Sequence, residues 1–307
     1  MTDSLLRRTH HVLSPVQHRE LDAALELCAS DPVANVVLVM QLERALATGV
    51  IPSGLWALRR RSGLSRDFVG IVWNSANFIA VLPLVDDAQD EDGMRAELAR
   101  SATSRLTRPA ALVGESTLTL DLWGRLEPWW GPAREVRPRQ LSMGIDTPAH
   151  RGTDVDTTGL QLEAVRPATM DDYDALLPAC VHMFTGEVGY DPMRHGRAGY
   201  EERLRDLVRA GRSYLQFGLA EGRRQVVYKA EIGALGGGVA QLQGVWVHPS
   251  LRGRALARAG LAATIEAIHA TTAPMVSLYV NDYNHAAVKA YEAVGLRQVG
   301  IFATVML

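Results

Sequence analysis

The spacing of hydrophobic residues changes repeatedly along this chain, and the changes mark its elements. Val12-Leu13 reads as a short strand, and from Ser14-Pro15 onward Leu21, Leu25 and Cys28 fall on one helical stripe. Asp31-Pro32 has the form of an N-cap followed by Pro at the first helical position. It predicts a second helix to about Ala47 with Val39, Leu42 and Leu46 inward. Strand-like runs follow at 54–60, 68–73 and 78–84, then an acidic loop at 86–93. Helix is expected at 94–106 and 116–129, with strands at 110–113 and 135–143.

Residues 146–159 hold Thr, Asp, Gly, Pro and His with little apolar content, and are the expected linker between domains at 1–145 and 160–307. Beyond them the pattern restarts. A strand is expected at 160–166. Thr169-Met170-Asp171-Asp172 then opens a helix, with Thr169 as cap, Asp172 three residues on, and Tyr173, Leu177, Cys180 and Phe184 on one face. A second helix is expected at 192–210, with Tyr200, Leu204 and Leu207 as its stripe. Strands at 213–220, 225–234 and 238–248 follow, then a helix to about 270, a strand at 275–280, a helix at 284–294 and a strand at 296–305. Both halves thus read strand, two helices, three strands, helix, strand, helix, strand. The pattern predicts an α+β fold in which the N-terminal half is a degenerate copy of the C-terminal one; an unrelated α+β domain is the other reading.

Composition narrows the class. The chain has 307 residues, 47% hydrophobic and 21% charged, as in an ordinary globular protein. A net charge of −2 provides no global field for nucleic acid or an anionic membrane. There is no run of eighteen apolar residues, and the N-terminus leads into no signal-like apolar stretch, so neither a span nor a secretion signal is expected. Cys28 and Cys180 both lie in amphipathic stretches. They are expected as core thiols rather than a disulfide framework, consistent with a reducing cytoplasm. No Cys/His/carboxylate spacing suggests a metal. Basic charge is almost all arginine, lysine occurring only at Lys229 and Lys289.

The chemistry concentrates in two segments. In Val245-Trp246-Val247-His248-Pro249-Ser250-Leu251-Arg252-Gly253-Arg254-Ala255-Leu256-Ala257, an apolar strand meets a Pro stop, then an Arg/Gly turn, then a helix start. Orphan amides at a helix N-terminus beside Arg252, Arg254 and Arg258 make an anion site. If Ala255 takes a positive φ it costs of order 1 kcal/mol relative to Gly; if it is helical it is harmless. Further on, Asn284, Ala287 and Tyr291 share one helix face, and Gly295 reads as the residue that ends that helix.

Together the two segments resemble the GNAT acyltransferases, the superfamily of acyl-CoA-dependent N-acetyltransferases. The phosphate-loop pattern Arg/Gln-x-x-Gly-x-Gly/Ala is matched by Arg252 to Ala257 with Ala255 in place of Gly. The pattern Asn-x-x-Ala-x-x-x-Tyr-x-x-x-Gly-Phe is matched by Asn284, Ala287, Tyr291 and Gly295-Leu296. The resemblance covers about residues 160–307. It implies a GNAT fold, with a mixed, mostly antiparallel sheet flanked by helices, and acetyl-CoA as cosubstrate. It implies cofactor-binding roles for Val245, Trp246, Val247, Arg252, Gly253, Arg254, Ala255, Leu256, Ala257, Arg258, Asn284 and Tyr291. The pantetheine arm would pair with the strand at Val245 and Val247, opened by Gly244. Tyr291 would be the catalytic acid for the leaving thiolate.

Many family members carry a Glu base on the strand before the loop. Gln241 and Gln243 stand there instead, leaving Glu187, Glu231 and His248 as candidates. Glu187, read as a loop residue after the first helix, is favoured because loops in that position shape the acceptor site in the family. Asp31-Pro32-Val33-Ala34-Asn35 and Glu187-Val188-Gly189-Tyr190-Asp191-Pro192 further resemble two-part actinobacterial GNAT proteins with an uncharacterised N-terminal domain. With Asp and Glu where the other half has Arg and Gly, the N-terminal half is expected to bind no CoA. The implied partners are an acyl-CoA and an amine acceptor, small molecule or protein, with no nucleic acid and no membrane; monomer and homodimer both stay open. A non-catalytic acyl-CoA-binding module and a tandem-GNAT aminoacyl transferase using charged tRNA are the alternatives. Near-neutral charge and the loop weigh against the second.

Overall fold

A computed structural model describes residues 10–62, 65–150, 160–194 and 196–307. The chain forms two compact units, one of Met1–Ser142 with Val299–Leu307, the other of Met143–Gln298. The last nine residues therefore belong to the first unit, a departure from the boundary expected at 160–307. The remainder of the expected linker, 151–159, and the polar N-terminus at 1–9 lie outside the described residues.

In the first unit the order is β1 (His10–Pro15), α1 (Leu21–Cys28), α2 (Val36–Thr48), β2 (Leu55–Ser62), β3 (Ser65–Asn74), β4 (Asn77–Val81), α3 (Ala88–Ser104), β5 (Ala111–Glu115), α4 (Ser116–Trp130) and β6 (Glu135–Ile145). Strands β1 to β4 form an antiparallel meander. β4 then pairs parallel with β5, from Asn77↔Ala111 to Phe78↔Leu112. Leu58, Val72, Phe78, Met94, Leu98 and Leu122 are among the residues of its core.

Three expectations fail here for local reasons. Pro15 ends β1 rather than starting a helix, because 10–15 are held in register against β2, and α1 begins only at Leu21 after a Gln17–Glu20 capping box. Asp31 does not cap α2. Its Oδ1 accepts the Ala34 N–H at 2.9 Å and Asn35 donates Nδ2–H to the Cys28 carbonyl at 3.0 Å, a turn that delays the helix to Val36. The acidic segment 86–93 is mostly helix: the Asp87 carboxylate accepts from the amides of Gln89 and Asp90, and α3 starts at Ala88 rather than Met94.

The second unit runs β7 (Arg166–Pro167), α5 (Tyr173–Val188), α6 (Arg197–Arg209), β8 (Ser213–Ala220), β9 (Arg223–Gly236), β10 (Val239–Val247), α7 (Leu256–Thr271), β11 (Met275–Asn281) and α8 (His285–Val294), and the chain then enters β12 (Arg297–Met306). Strands β7 to β10 are antiparallel neighbours, and β10 pairs parallel with β11. This is the same order and the same switch from antiparallel to parallel as in the first unit. The expected strand at 160–166 shrinks to Arg166–Pro167 and one bridge from Leu162 to Gly218. The Thr169/Asp172 capping box is present, and Asp172 also takes Arg166 at 2.7 and 2.8 Å. The buried stripe of α5 is Tyr173, Leu176, Ala179 and Cys180, turned slightly from the one expected, with Leu177 and Phe184 only partly covered. α6 starts at Arg197 after a turn at 192–194 and buries Leu204 and Val208; His195, inside the expected helix, is outside the described residues. β12 crosses to the first unit, where Phe302 to Met306 pair with β5 and Thr304 donates to Gln140 at 2.6 Å.

Helix α7 carries the loop motif at its start, and a glycine seats it on the sheet. A Cβ on Gly260 would lie 2.6 Å from the Tyr228 ring, whose hydroxyl meets Thr264 at 3.0 Å. Gly260→Ala should therefore overpack this contact and destabilise the protein by about 1–3 kcal/mol, read as a lower midpoint in urea. A midpoint equal to that of the parent would show that the helix can shift freely.

Candidate active site

The site begins where β10 leaves β11. Their parallel register runs from Val239↔Met275 to Gln241↔Ser277 and ends there, while β10 continues to Val247 and β11 to Asn281. On its other edge β10 stays paired with β9 but carries a bulge: Gln243 faces Glu231 and Trp246 faces Lys229. Gly244 and Val245 together oppose Ala230, and Gly244 has φ 59°. The bulge turns the strand and leaves the backbone of Val245 and Val247 without a β11 partner.

Beneath the bulge lies a buried ion pair. Lys229 is fully buried, and its ammonium contacts Glu231 Oε1 at 2.5 Å. Cys180 donates to the same carboxylate at 3.4 Å and Gln243 to its other oxygen at 3.2 Å. Burial alone would raise Glu231, but the Lys229 charge and hydrogen bond outweigh it and hold the carboxylate below its ordinary pKa. Likewise burial would lower Lys229, and Glu231 holds it above. Burial pushes the Cys180 thiol up to about 12, so it is a core thiol, as is the fully buried Cys28. A Cβ on Gly244 would come within 2.7 Å of Met183 Cε and 3.0 Å of Lys229 Nζ, so the bulge and the ion pair require each other's shape.

After β10, His248 caps a short 3-10 turn (Pro249–Leu251) and the chain enters the Arg/Gly loop. Gly253 has φ 78° and Ala255 φ 58°, both left-handed. Ala255 is the N-cap of α7, and its carbonyl accepts from Arg258 and Ala259 at 3.1 and 3.2 Å. The amides of Leu256 and Ala257 are thus the helix's orphan donors, at the positive end of its dipole. Arg252 is anchored through Nε to the Val247 carbonyl at 3.3 Å. The equivalent helix of the first unit, α3, is different in kind: the Asp87 carboxylate occupies its first amides, and Asp90 pairs with Arg60 and with His11.

Asn284 caps α8, its Oδ1 accepting the Ala287 amide at 3.3 Å, and Gly295 ends that helix with φ 110°. Tyr291 on the same face is 9% exposed. Burial, then the charge of Glu187, pushes its phenol well above the ordinary tyrosine value. Glu187 itself sits in the last turn of α5, which Gly189 terminates, and not in the loop expected.

These parts converge on one cavity of about 720 Å³. Of the expected residues Val245, Trp246, Val247, Arg252, Gly253, Ala255, Leu256, Ala257, Arg258, Asn284, Tyr291 and Glu187 all line it, while Arg254 does not. Glu231 and His248 are not among the lining residues. The first is committed to Lys229, Cys180 and Gln243, and the second faces Ser250 through Nδ1 at 2.9 Å. Two polar lining residues escaped the sequence reading. His182 stands on the exposed side of α5, where periodicity gives no signal, and Lys289 is one of the chain's two lysines, a rarity that could have flagged it. Among the described residues no group of three His, Cys, Asp or Glu could hold a metal, and no helix is long and apolar enough to cross a membrane.

Residues 192–296 match the Acetyltransferase (GNAT) family, and residues 54–176 match a Domain of unknown function (DUF4081). No curated protein matches the chain in sequence. Among solved structures, a Drosophila protein is 13% identical, covering 96% of this chain and 98% of its own, with a TM-score of 0.62. A tandem GNAT protein from the clavulanic acid biosynthesis pathway is 17% identical, covering 97% and 98%, at 0.58. A GCN5-related N-acetyltransferase from Sphaerobacter thermophilus is 14% identical, covering 96% and 94%, at 0.55. At these identities the likeness is one of fold, and it extends over both units.

The left-handed Ala255 generates a test. Gly relieves about 1–2 kcal/mol of αL strain but loses about 0.5–1 kcal/mol to its freer unfolded chain. Ala255→Gly should therefore stabilise by up to about 1.5 kcal/mol, seen as a raised denaturant midpoint. A clear drop in that midpoint would mean that the alanine methyl is packed rather than strained.

Proposed function

Because residues 192–296 form a domain of the GNAT acetyltransferase family, we propose that the second unit is an acetyl-CoA-dependent N-acetyltransferase acting on a primary amine. The observation that carries this reading is the convergence of orphan amides, arginines, an open strand edge, a buried tyrosine and a carboxylate on one cavity. In this reading the loop amides and the guanidinium groups of Arg252 and Arg258 hold the diphosphate by charge-assisted hydrogen bonds. The backbone of Val245 and the N–H of Val247, which have no β11 partner, hydrogen-bond the amide-bearing arm as an added strand would. Bound acetyl-CoA supplies the thioester.

Glu187 is the base in this scheme: it accepts the proton that a primary ammonium must lose before it can attack. The amine forms a C–N bond to the thioester carbon, the C–S bond breaks, Tyr291 gives its proton to the departing sulfur, and the second proton that the nitrogen sheds on becoming an amide passes back to the Tyr291 oxygen. With its pKa raised, the phenol is protonated across the neutral range, so the proton is in place when the thiolate departs. We assign no CoA to the first unit, since Asp87 fills the amides that a diphosphate would need. Free, buried thiols at Cys28 and Cys180 suit work in a reducing cytoplasm.

Tyr291→Phe should lower kcat by about 10²-fold or more with acetyl-CoA affinity little changed, measured by thiol release and calorimetry. Unreduced turnover would remove Tyr291 from the mechanism. In the parent protein no loss of rate from tyrosine ionisation is expected below about pH 10, the ordinary phenol value. Arg252→Ala should weaken acetyl-CoA binding about tenfold or more, as loss of a hydrogen bond to a charged group does. Unchanged affinity in calorimetry would place the diphosphate elsewhere.

A further inference from the structure

The part of the cavity wall supplied by α5 contains His182, Met183, Gly186 and Glu187. Its electrostatic character depends on which nitrogen of His182 carries the proton, and a neighbour decides that. The Trp246 indole N–H lies 3.2 Å from His182 Nδ1. An indole nitrogen can only donate, so Nδ1 must accept and carries no proton. In the neutral ring the proton therefore sits on Nε2.

Trp246 is well placed to enforce this. It is 7% exposed, and its backbone is locked in the β10 ladder opposite Lys229. Its ring is edge-on to His182 at 5.7 Å and to His248 at 5.8 Å, and His248 is turned away onto Ser250. In the neutral His182 ring Nδ1 is engaged as an acceptor, and what His182 has left to offer is the Nε2–H.

The α5 wall therefore carries a carboxylate at Glu187, which suits an ammonium, and a hydrogen-bond donor at His182, which suits an oxygen. Resting on the transferase reading, we propose that His182 is a specificity-determining residue. Held by Trp246 as an Nε2–H donor, it selects acceptors whose amine is flanked by a carbonyl or carboxylate oxygen, as in an amino acid or the α-amine of a peptide.

The test uses the full chain, acetyl-CoA and a matched set of amines: leucine, leucinamide and 3-methylbutylamine, which share a side chain and differ in the oxygen-bearing group. Steady-state rates are measured for the parent, His182→Phe and Trp246→Phe. The ring state is read separately by 15N imidazole spectroscopy of histidine-labelled protein. We expect the parent to prefer leucine or leucinamide. His182→Phe should reduce that preference about tenfold to a hundredfold, the worth of one hydrogen bond to a polar or charged oxygen, with the change in KM. Trp246→Phe should reduce it in the same direction, and should convert His182 from a single Nε2–H form to a tautomer mixture.

The proposal is overturned if His182→Phe lowers all three amines equally, if its effect falls on kcat with loss of the acid-side limb of the pH profile, or if the parent shows Nδ1–H. Turnover of other primary amines but of none of these three also overturns it, while the transferase reading stands. If acetyl-CoA binds and no amine of any class is acetylated, the transferase reading itself fails, and the acceptor assignment with it.

Discussion

Everything at this site depends on one strand being prevented from completing its sheet. β10 pairs with β11 only as far as Gln241, and the bulge at Gly244 turns it away thereafter. A bulge in mid-sheet leaves backbone groups unpaired and must be stabilised from below. Here the support is the Lys229–Glu231 pair, buried against the face of Gly244. Neither charge could remain buried alone, since losing one partner of such a pair costs about 3–5 kcal/mol. The pair and the glycine thus fix the local path of the chain together, and that path opens the edge along which the cavity lies.

The two units show how little separates an anion site from an inert helix start. Both place a helix after a strand that pairs parallel with the next one. In the second unit the helix is capped by Ala255, which has no side-chain acceptor, and its first amides stay available. In the first, Asp87 puts a carboxylate on the equivalent amides. A capping carboxylate contributes about 1 kcal/mol to its helix, and it removes the same donors from any ligand. One substitution at a cap can stabilise a fold while closing a site.

Burial also sorts the carboxylates and imidazoles around the cavity. Glu231, Glu187 and His248 are all candidate bases on paper, Glu187 being the one favoured from the family resemblance. Glu231 is enclosed with a lysine and a thiol, and His248 is consumed by the turn it caps, while Glu187 lines the cavity within electrostatic reach of Tyr291. The distinction is one of surroundings, not of residue type.

What could be read along the chain was what depends on near neighbours. The order of elements, the Thr169/Asp172 capping box, the face shared by Asn284, Ala287 and Tyr291, the glycine that ends α8 and the loop motif at Arg252 all involve residues a few positions apart, where helical period and cap geometry act. Errors arose where a nearby side chain competed for the same amides or carbonyls, as Asp87 and Asn35 do. Contacts between residues far apart in sequence could be settled only by folding. The sign of φ at Ala255, the burial of Lys229, the tautomer that Trp246 imposes on His182, and the passage of the last strand into the first unit belong to that class. The physical reason is that hydrogen-bond partners, desolvation and strand register are set by what packs alongside, and a strand's neighbours in space are not its neighbours along the chain.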